Sequence, residues 1–160
     1  MDLYVLRHGK AERVAPGGDD AVRALTEKGQ RDARRLGRWV RERGLAIDLV
    51  ATSPYVRARE TAVLVLQGAV TPPPLETWDE LRPDGAVEAV LARLAASDPA
   101  GAVLVVGHEP LLSTLASAAI GGGRIRLAKG ALAKVGGFVP GDGGGALELL
   151  VTPALIAPGP

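Results

Sequence analysis

Two short apolar runs, Leu3-Tyr4-Val5-Leu6 and Ala102-Val103-Leu104-Val105-Val106-Gly107, lead into His8 and His108, the only two histidines of the chain. Runs of strand length that are apolar throughout are the mark of strands buried on both faces, as in a largely parallel sheet covered by helices. Each histidine then stands at a strand's carboxyl end, where open α/β sheets bind ligands. If the two strands are neighbours, the imidazoles lie side by side in one crevice. That suits a reaction needing one ring as nucleophile and the other as electrostatic support. One histidine could merely end a strand; a matched pair argues for more.

The rest of the chain alternates strand-length apolar runs with helical periodicity, which predicts strands near 2–7, 47–52, 74–78 and 102–107. A helix over about 27–43 has Thr26 as N-cap, Ala33, Leu36 and Val40 on one face, and Gly44 as its stop. Ser53-Pro54 reads as the opening of a second helix, serine as N-cap and proline at the first helical position, running to about Gln67. Further helices are expected near 84–96 and 110–119. Residues 131–139 and 146–151, separated by Pro140-Gly141-Asp142-Gly143-Gly144-Gly145, read as a β-hairpin, so the sheet is expected to be mixed. The expectation is one domain over 1–152 and an irregular tail over 153–160.

Composition narrows the chemistry. The 160 residues carry a net charge of +1, with no general pull toward nucleic acid or an anionic membrane, and 3% aromatic residues, too few for base-stacking platforms. There is no cysteine, which removes disulfides, thiolate metal sites and cysteine-nucleophile phosphatase chemistry. No apolar run is long enough to span a membrane, and the amino-terminal one is too short for a signal-peptide core, so a soluble, cytoplasmic protein is expected. Glu12, Asp19 and Asp20 lack the companions of a metal site and read as a solvated charged loop; neither a metal nor a cofactor is expected.

Arg57 falls in the first turn of the second helix, where the helix terminus favours an anion and a guanidinium adds a bidentate phosphate grip. Arg7, beside His8, could supply a second fork. Arg59, two residues beyond Arg57, faces elsewhere and reads as a solvated surface arginine.

Four ordered blocks, Leu6-Arg7-His8-Gly9, Ala24-Leu25-Thr26-Glu27-Lys28-Gly29, Ser53-Pro54-Tyr55-Val56-Arg57-Ala58-Arg59-Glu60-Thr61 and Val106-Gly107-His108, resemble the histidine phosphatase (phosphoglycerate-mutase-like) superfamily. Within it the likeness is to the short SixA-type phosphohistidine phosphatases, and it extends from Met1 to about Leu112. The resemblance implies a three-layer α/β/α domain with a six-stranded, mostly parallel sheet, one strand antiparallel and the first and fourth strands adjacent. It implies that His8 attacks phosphorus, that Arg7 and Arg57, with Gly9 beside them, bind the phosphoryl oxygens, and that His108 stabilises the transferring group. Arg23, three residues before Thr26, is placed to reach the substrate from the first loop, and Glu80, after the third strand, is the candidate proton donor. No connection is long enough for the lid domain of larger relatives, so an open crevice is expected. The implied activity is a metal-independent phosphatase, with phosphohistidine on a phosphotransfer domain as the leading substrate. Small phosphate monoesters, or a non-catalytic phosphate-binding module, are the alternatives.

Overall fold

The computed structural model describes residues 1–97 and 101–156. Its strands are β1 (Asp2–Arg7), β2 (Leu49–Thr52), β3 (Leu75–Thr77), β4 (Ala102–Gly107), β5 (Leu132–Gly136) and β6 (Ala146–Val151). They form one sheet in the order β3-β2-β4-β1-β5-β6. β1 pairs in parallel with β4, Leu3 beside Val103 and Arg7 beside Gly107, and β2 lies parallel to both β4 and β3. β5 alone runs against the others, antiparallel to β1 and to β6. The expected mixed sheet with neighbouring first and fourth strands is therefore present.

The period of two along each strand decides which layer a side chain joins. Leu3 and Val5 of β1, with Val103 and Val105 of β4, pack under α3 (Val87–Ala96) and α4 (Leu111–Ala119). Tyr4 and Leu6, with Leu104 and Val106, pack under α1 (Glu27–Glu42) and α2 (Val56–Leu66). Burial on both faces is why these strands are apolar without a break.

Thr26 caps α1 as expected, its Oγ1 accepting from the Gly29 amide at 3.1 Å. Beyond the helix Gly44 adopts φ 62°, the left-handed conformation that glycine provides without a Cβ penalty. Along the packed faces of α1 and α2, Gly37 lies so near the main chain of Val65 that a Cβ would fall on the Val65 carbonyl.

Three expectations need correction. α2 does not open at Ser53-Pro54: it begins at Val56 with Tyr55 as its N-cap, because the Ser53 hydroxyl accepts only from the neighbouring Tyr55 amide (3.3 Å) and is otherwise bonded to His108. α3 likewise begins at Val87, after a loop, rather than near residue 84. The residues read as an irregular tail start with a 3-10 turn at Pro153–Leu155, and Ile156 is buried against the α1 layer; residues 157–160 lie outside the described residues.

The segment joining α4 to β5 climbs back alongside α4 toward the carboxyl ends of the parallel strands. Ser117 Oγ accepts from the Ile125 amide and Ser113 Oγ from the Leu127 amide, each at 3.2 Å. The Gly130 amide then donates to the carbonyls of both Arg7 and His8 at 3.1 Å. No helix among the described residues is long and apolar enough to cross a membrane, and no inserted lid stands over the carboxyl ends of β1 and β4 among them.

Candidate active site

Because β1 and β4 are adjacent and in register, their histidines meet. The His8 amide donates to the Gly107 carbonyl at 3.0 Å, and the two imidazole centroids are 5.1 Å apart with an interplanar angle of 56°. Both rings are buried, His8 at 7% and His108 at 2% exposure, so their environment rather than bulk water sets their protonation.

His8 Nδ1 lies 2.7 Å from the Gly9 carbonyl, an acceptor that can be satisfied only by a proton on Nδ1. This fixes the tautomer and leaves Nε2 with a bare lone pair. Among the described residues the only group bonded to it is Arg57, whose Nε donates at 3.4 Å. Gly9 is itself held from the other side: its amide donates to Thr61 Oγ1 at 3.0 Å, and Thr61 donates in turn to the Arg57 carbonyl at 2.7 Å. A Cβ at Gly9 would press within 3.2 Å of the Gly29 carbonyl and 3.3 Å of Leu25. In this structure Gly9 orients His8, and its amide, committed to Thr61, is not turned toward a substrate.

Arg57 is 3% exposed and connects the two sides of the site. Its Nη1 donates to the Asp20 carbonyl oxygen at 2.8 Å and its Nη2 to Asp20 Oδ2 at 3.0 Å. Asp20 Oδ1 pairs with Arg23 Nη2 at 2.9 Å, and Arg23 Nη1 donates to the Glu12 carbonyl at 3.1 Å. Asp20 lies exposed in the charged loop as expected and is in addition a tie between two site arginines, which hold its carboxyl below the usual range. Asp19 caps the 3-10 turn at Asp20–Val22 by accepting from the Ala21 amide. Arg7 donates from Nη1 to the Leu127 carbonyl at 2.9 Å, and the Nε atoms of Arg7 and Arg23 are buried without a partner among the described residues.

His108 Nε2 lies 2.8 Å from Ser53 Oγ, and its Nδ1 is buried without a partner among the described residues. Tyr55 meets the His108 ring edge-on with centroids 5.2 Å apart, and the Arg57 guanidinium lies 4.9 Å from the Tyr55 centroid. Burial is the main cause that lowers His8 to a pKa of about 4, with Arg57, Arg7 and Arg23 adding to it against the Gly9 hydrogen bond. Burial likewise lowers His108 to about 3, helped by His8 and Arg57. Both rings are therefore neutral near pH 7, the state a nitrogen nucleophile requires.

The sequence-derived residues Arg7, His8, Arg23, Arg57 and His108 converge on this pocket. Glu80 does not join them by any hydrogen bond among the described residues; it sits half-buried in the 3-10 turn at Asp79–Leu81. Three contributors, Asp20, Ser53 and Thr61, were not singled out as site residues from the sequence. Their local signal was present but ordinary: an acid three residues before an arginine, a serine ahead of a helix, and a threonine four residues after Arg57. No group of three or more histidine, aspartate or glutamate side chains among the described residues is placed to hold a metal ion.

Comparison with known proteins supplies the family. Residues 3–83 match the model of the histidine phosphatase superfamily, branch 1. The phosphohistidine phosphatase SixA of Escherichia coli is 34% identical over 117 residues, spanning 72% of this chain and 71% of that protein. A SixA homolog of Haemophilus influenzae is 32% identical over 124 residues, 72% of this chain and 74% of the other. Among solved structures, that of the protein histidine phosphatase SixA complexed with tungstate superposes with a TM-score of 0.86 at 30% identity, covering 96% of this chain and 98% of that one.

Proposed function

The chain belongs to the histidine phosphatase superfamily, branch 1, and from that premise we propose that it dephosphorylates phosphohistidine on a protein, with His8 as the residue that carries the phosphoryl group. The observation that carries this reading is His8 itself, whose Nδ1 proton is held by Gly9 while the bare Nε2 faces Arg57 Nε at 3.4 Å.

The chemistry follows from these positions. His8 Nε2 forms a bond to phosphorus as the bond from phosphorus to the substrate imidazole breaks, and the leaving nitrogen keeps the electron pair and takes a proton from solvent. Water then attacks the phosphorylated His8, releasing inorganic phosphate and restoring the free ring. Phosphoryl transfer asks the protein chiefly for alignment and for positive charge around the equatorial oxygens. Arg7, Arg57 and Arg23 supply that charge. Ser53 Oγ already accepts from the Tyr55 amide, so its own proton can go to His108 Nε2. The ring proton of His108 then stays on Nδ1, a buried donor free for a phosphoryl oxygen.

Glu80 has no place in these steps, which suits a nitrogen leaving group, since an imidazole leaves with less help from an acid than an alkoxide does. The open carboxyl end of the sheet admits a protein surface. The relative solved with tungstate holds a tetrahedral oxyanion of phosphate shape, which supports the reading of this pocket as a phosphoryl site. A cytoplasmic setting belongs to the same proposal, and cell fractionation tests it.

Release of phosphate from a phosphohistidine protein and from p-nitrophenyl phosphate, assayed in parallel, tests the substrate. The expected result is a higher kcat/KM on the phosphoprotein; a preference for the small ester would reassign the protein to monoester hydrolysis on the same machinery.

A further inference from the structure

The chain holds only four lysines in an arginine-dominated complement of nineteen basic residues, and three of them, Lys10, Lys28 and Lys129, line one cavity of about 390 Å³. The fourth, Lys134, lies on the sheet and is paired with Asp2 at 2.9 Å and Glu148 at 2.7 Å. Within the cavity Lys28 is neutralised by Asp32 at 2.7 Å, whereas Lys10 and Lys129 have no ion pair among the described residues and are exposed. The opposite wall is Thr152 and Pro153, at the end of β6.

The cavity is tied to the catalytic centre through backbone. Lys10 follows His8 by two residues, and its carbonyl is held by the Thr26 amide at 2.9 Å and the Thr26 hydroxyl at 3.1 Å. Lys129 precedes Gly130, whose amide donates to the carbonyls of Arg7 and His8. Two unneutralised ammonium groups are therefore carried on main chain that lies two residues from His8 or adjoins the residue bonded to its carbonyl. A protein that brings a phosphohistidine to His8 approaches the same carboxyl end of the sheet at which the main chain of Lys129 and Lys10 is anchored.

We propose that this cavity is a docking site for carboxylate side chains flanking the phosphohistidine of the substrate protein. The inference rests on the substrate reading above and adds what selects among phosphoproteins. Carboxylate fits better than a second phosphate for two reasons. The phosphoryl pocket uses arginines, held rigidly so that individual N–H donors are aimed at the site, whereas this cavity uses lysines, which act as point charges on flexible stems. Asp32 on its wall also cancels Lys28, so the charge left is two separate ammonium groups, which match two single carboxylates.

Two synthetic 3-phosphohistidine peptides test this, one with glutamates flanking the phosphohistidine and one with glutamines in their place. The native protein is expected to hydrolyse the glutamate peptide with a kcat/KM about 10-fold higher, the scale of two exposed ion pairs, and to lose that preference at high salt. The double variant Lys10→Gln/Lys129→Gln is expected to treat both peptides alike while keeping native activity on the glutamine peptide and on p-nitrophenyl phosphate, which also shows that it folds. A native protein indifferent to the glutamates, or a double variant that keeps the preference, overturns the docking site. Indifference to the glutamates combined with lysine-dependent binding of an RNA oligonucleotide reassigns the cavity to nucleic acid and overturns it equally. Hydrolysis of p-nitrophenyl phosphate with neither peptide cleaved is the separate signature of a failed substrate reading, and docking falls with it.

Discussion

Arg57 and Arg59 stand two residues apart in the first turn of α2, yet only Arg57 is buried and reaches His8. Its two terminal nitrogens are held by Asp20, so the donor it presents to the nucleophile is Nε. Arg57→Lys keeps the charge and loses that geometry. A fall in kcat on the order of 10²-fold is expected, the size of losing one transition-state donor, while Arg59→Lys leaves kcat unchanged. Equal losses at both positions would mean that only the general potential of the helix turn matters. Asp20→Asn isolates the tie itself: the loosened guanidinium is expected to lower kcat about 10-fold and to weaken inhibition by vanadate. Tighter vanadate binding in that variant would instead show Asp20 competing with the oxyanion. His8, His108 and Arg57 were legible in the sequence because each follows a strand or opens a helix. Asp20 and Ser53 were not, because their partners, Arg57 and His108, are 37 and 55 residues away along the chain.

The helices position these residues through close contact more than through individual bonds. α1 and α2 approach at Gly37, where any side chain would meet the Val65 carbonyl, and this packing seats the helix that carries Arg57 and Thr61. Gly37→Ala is expected to destabilise the fold by about 1 to 3 kcal/mol, the range of an overpacked contact, measured by urea unfolding; unchanged stability would show that the helices separate freely. Periodicity and the Thr26 cap made α1 readable almost to the residue. The start of α2 was not readable, since Ser53-Pro54 satisfies the rules for a helix opening equally well whether or not the serine is taken by a histidine on another strand. The same limit applies to the tail: Ile156 is buried against α1, a contact that three prolines and no local period gave no reason to expect.

For the whole molecule, the apolar runs and the glycine-rich hairpin made a mixed, largely parallel sheet readable, whereas the adjacency of the first and fourth strands came only from the family resemblance, because strand order is a long-range property that no local pattern encodes. What charge does over the folded chain was less visible, because net charge does not say that three lysines share one cavity. Burial of the imidazole pair has a consequence for stability. In the unfolded chain both rings titrate near 6.5, whereas in the fold His8 is lowered to about 4 and His108 to about 3. Between these values the unfolded chain binds protons that the native one does not. Stability is therefore complete above pH 6.5 and falls as pH is lowered through 6.5 toward 4. Urea unfolding at pH 7.5 and pH 5 should show a lower midpoint at pH 5, and His8→Ala should shrink the difference; equal midpoints would mean that the rings are not held neutral. The most direct test of the catalytic reading is rapid quench of the protein during turnover of a substrate labelled with ³²P in its phosphoryl group. The label is expected on His8, lost in acid and kept in base as a phosphoramidate is, and absent from His8→Ala, which should be inactive. An acid-stable label, or undiminished turnover by His8→Ala, would contradict it.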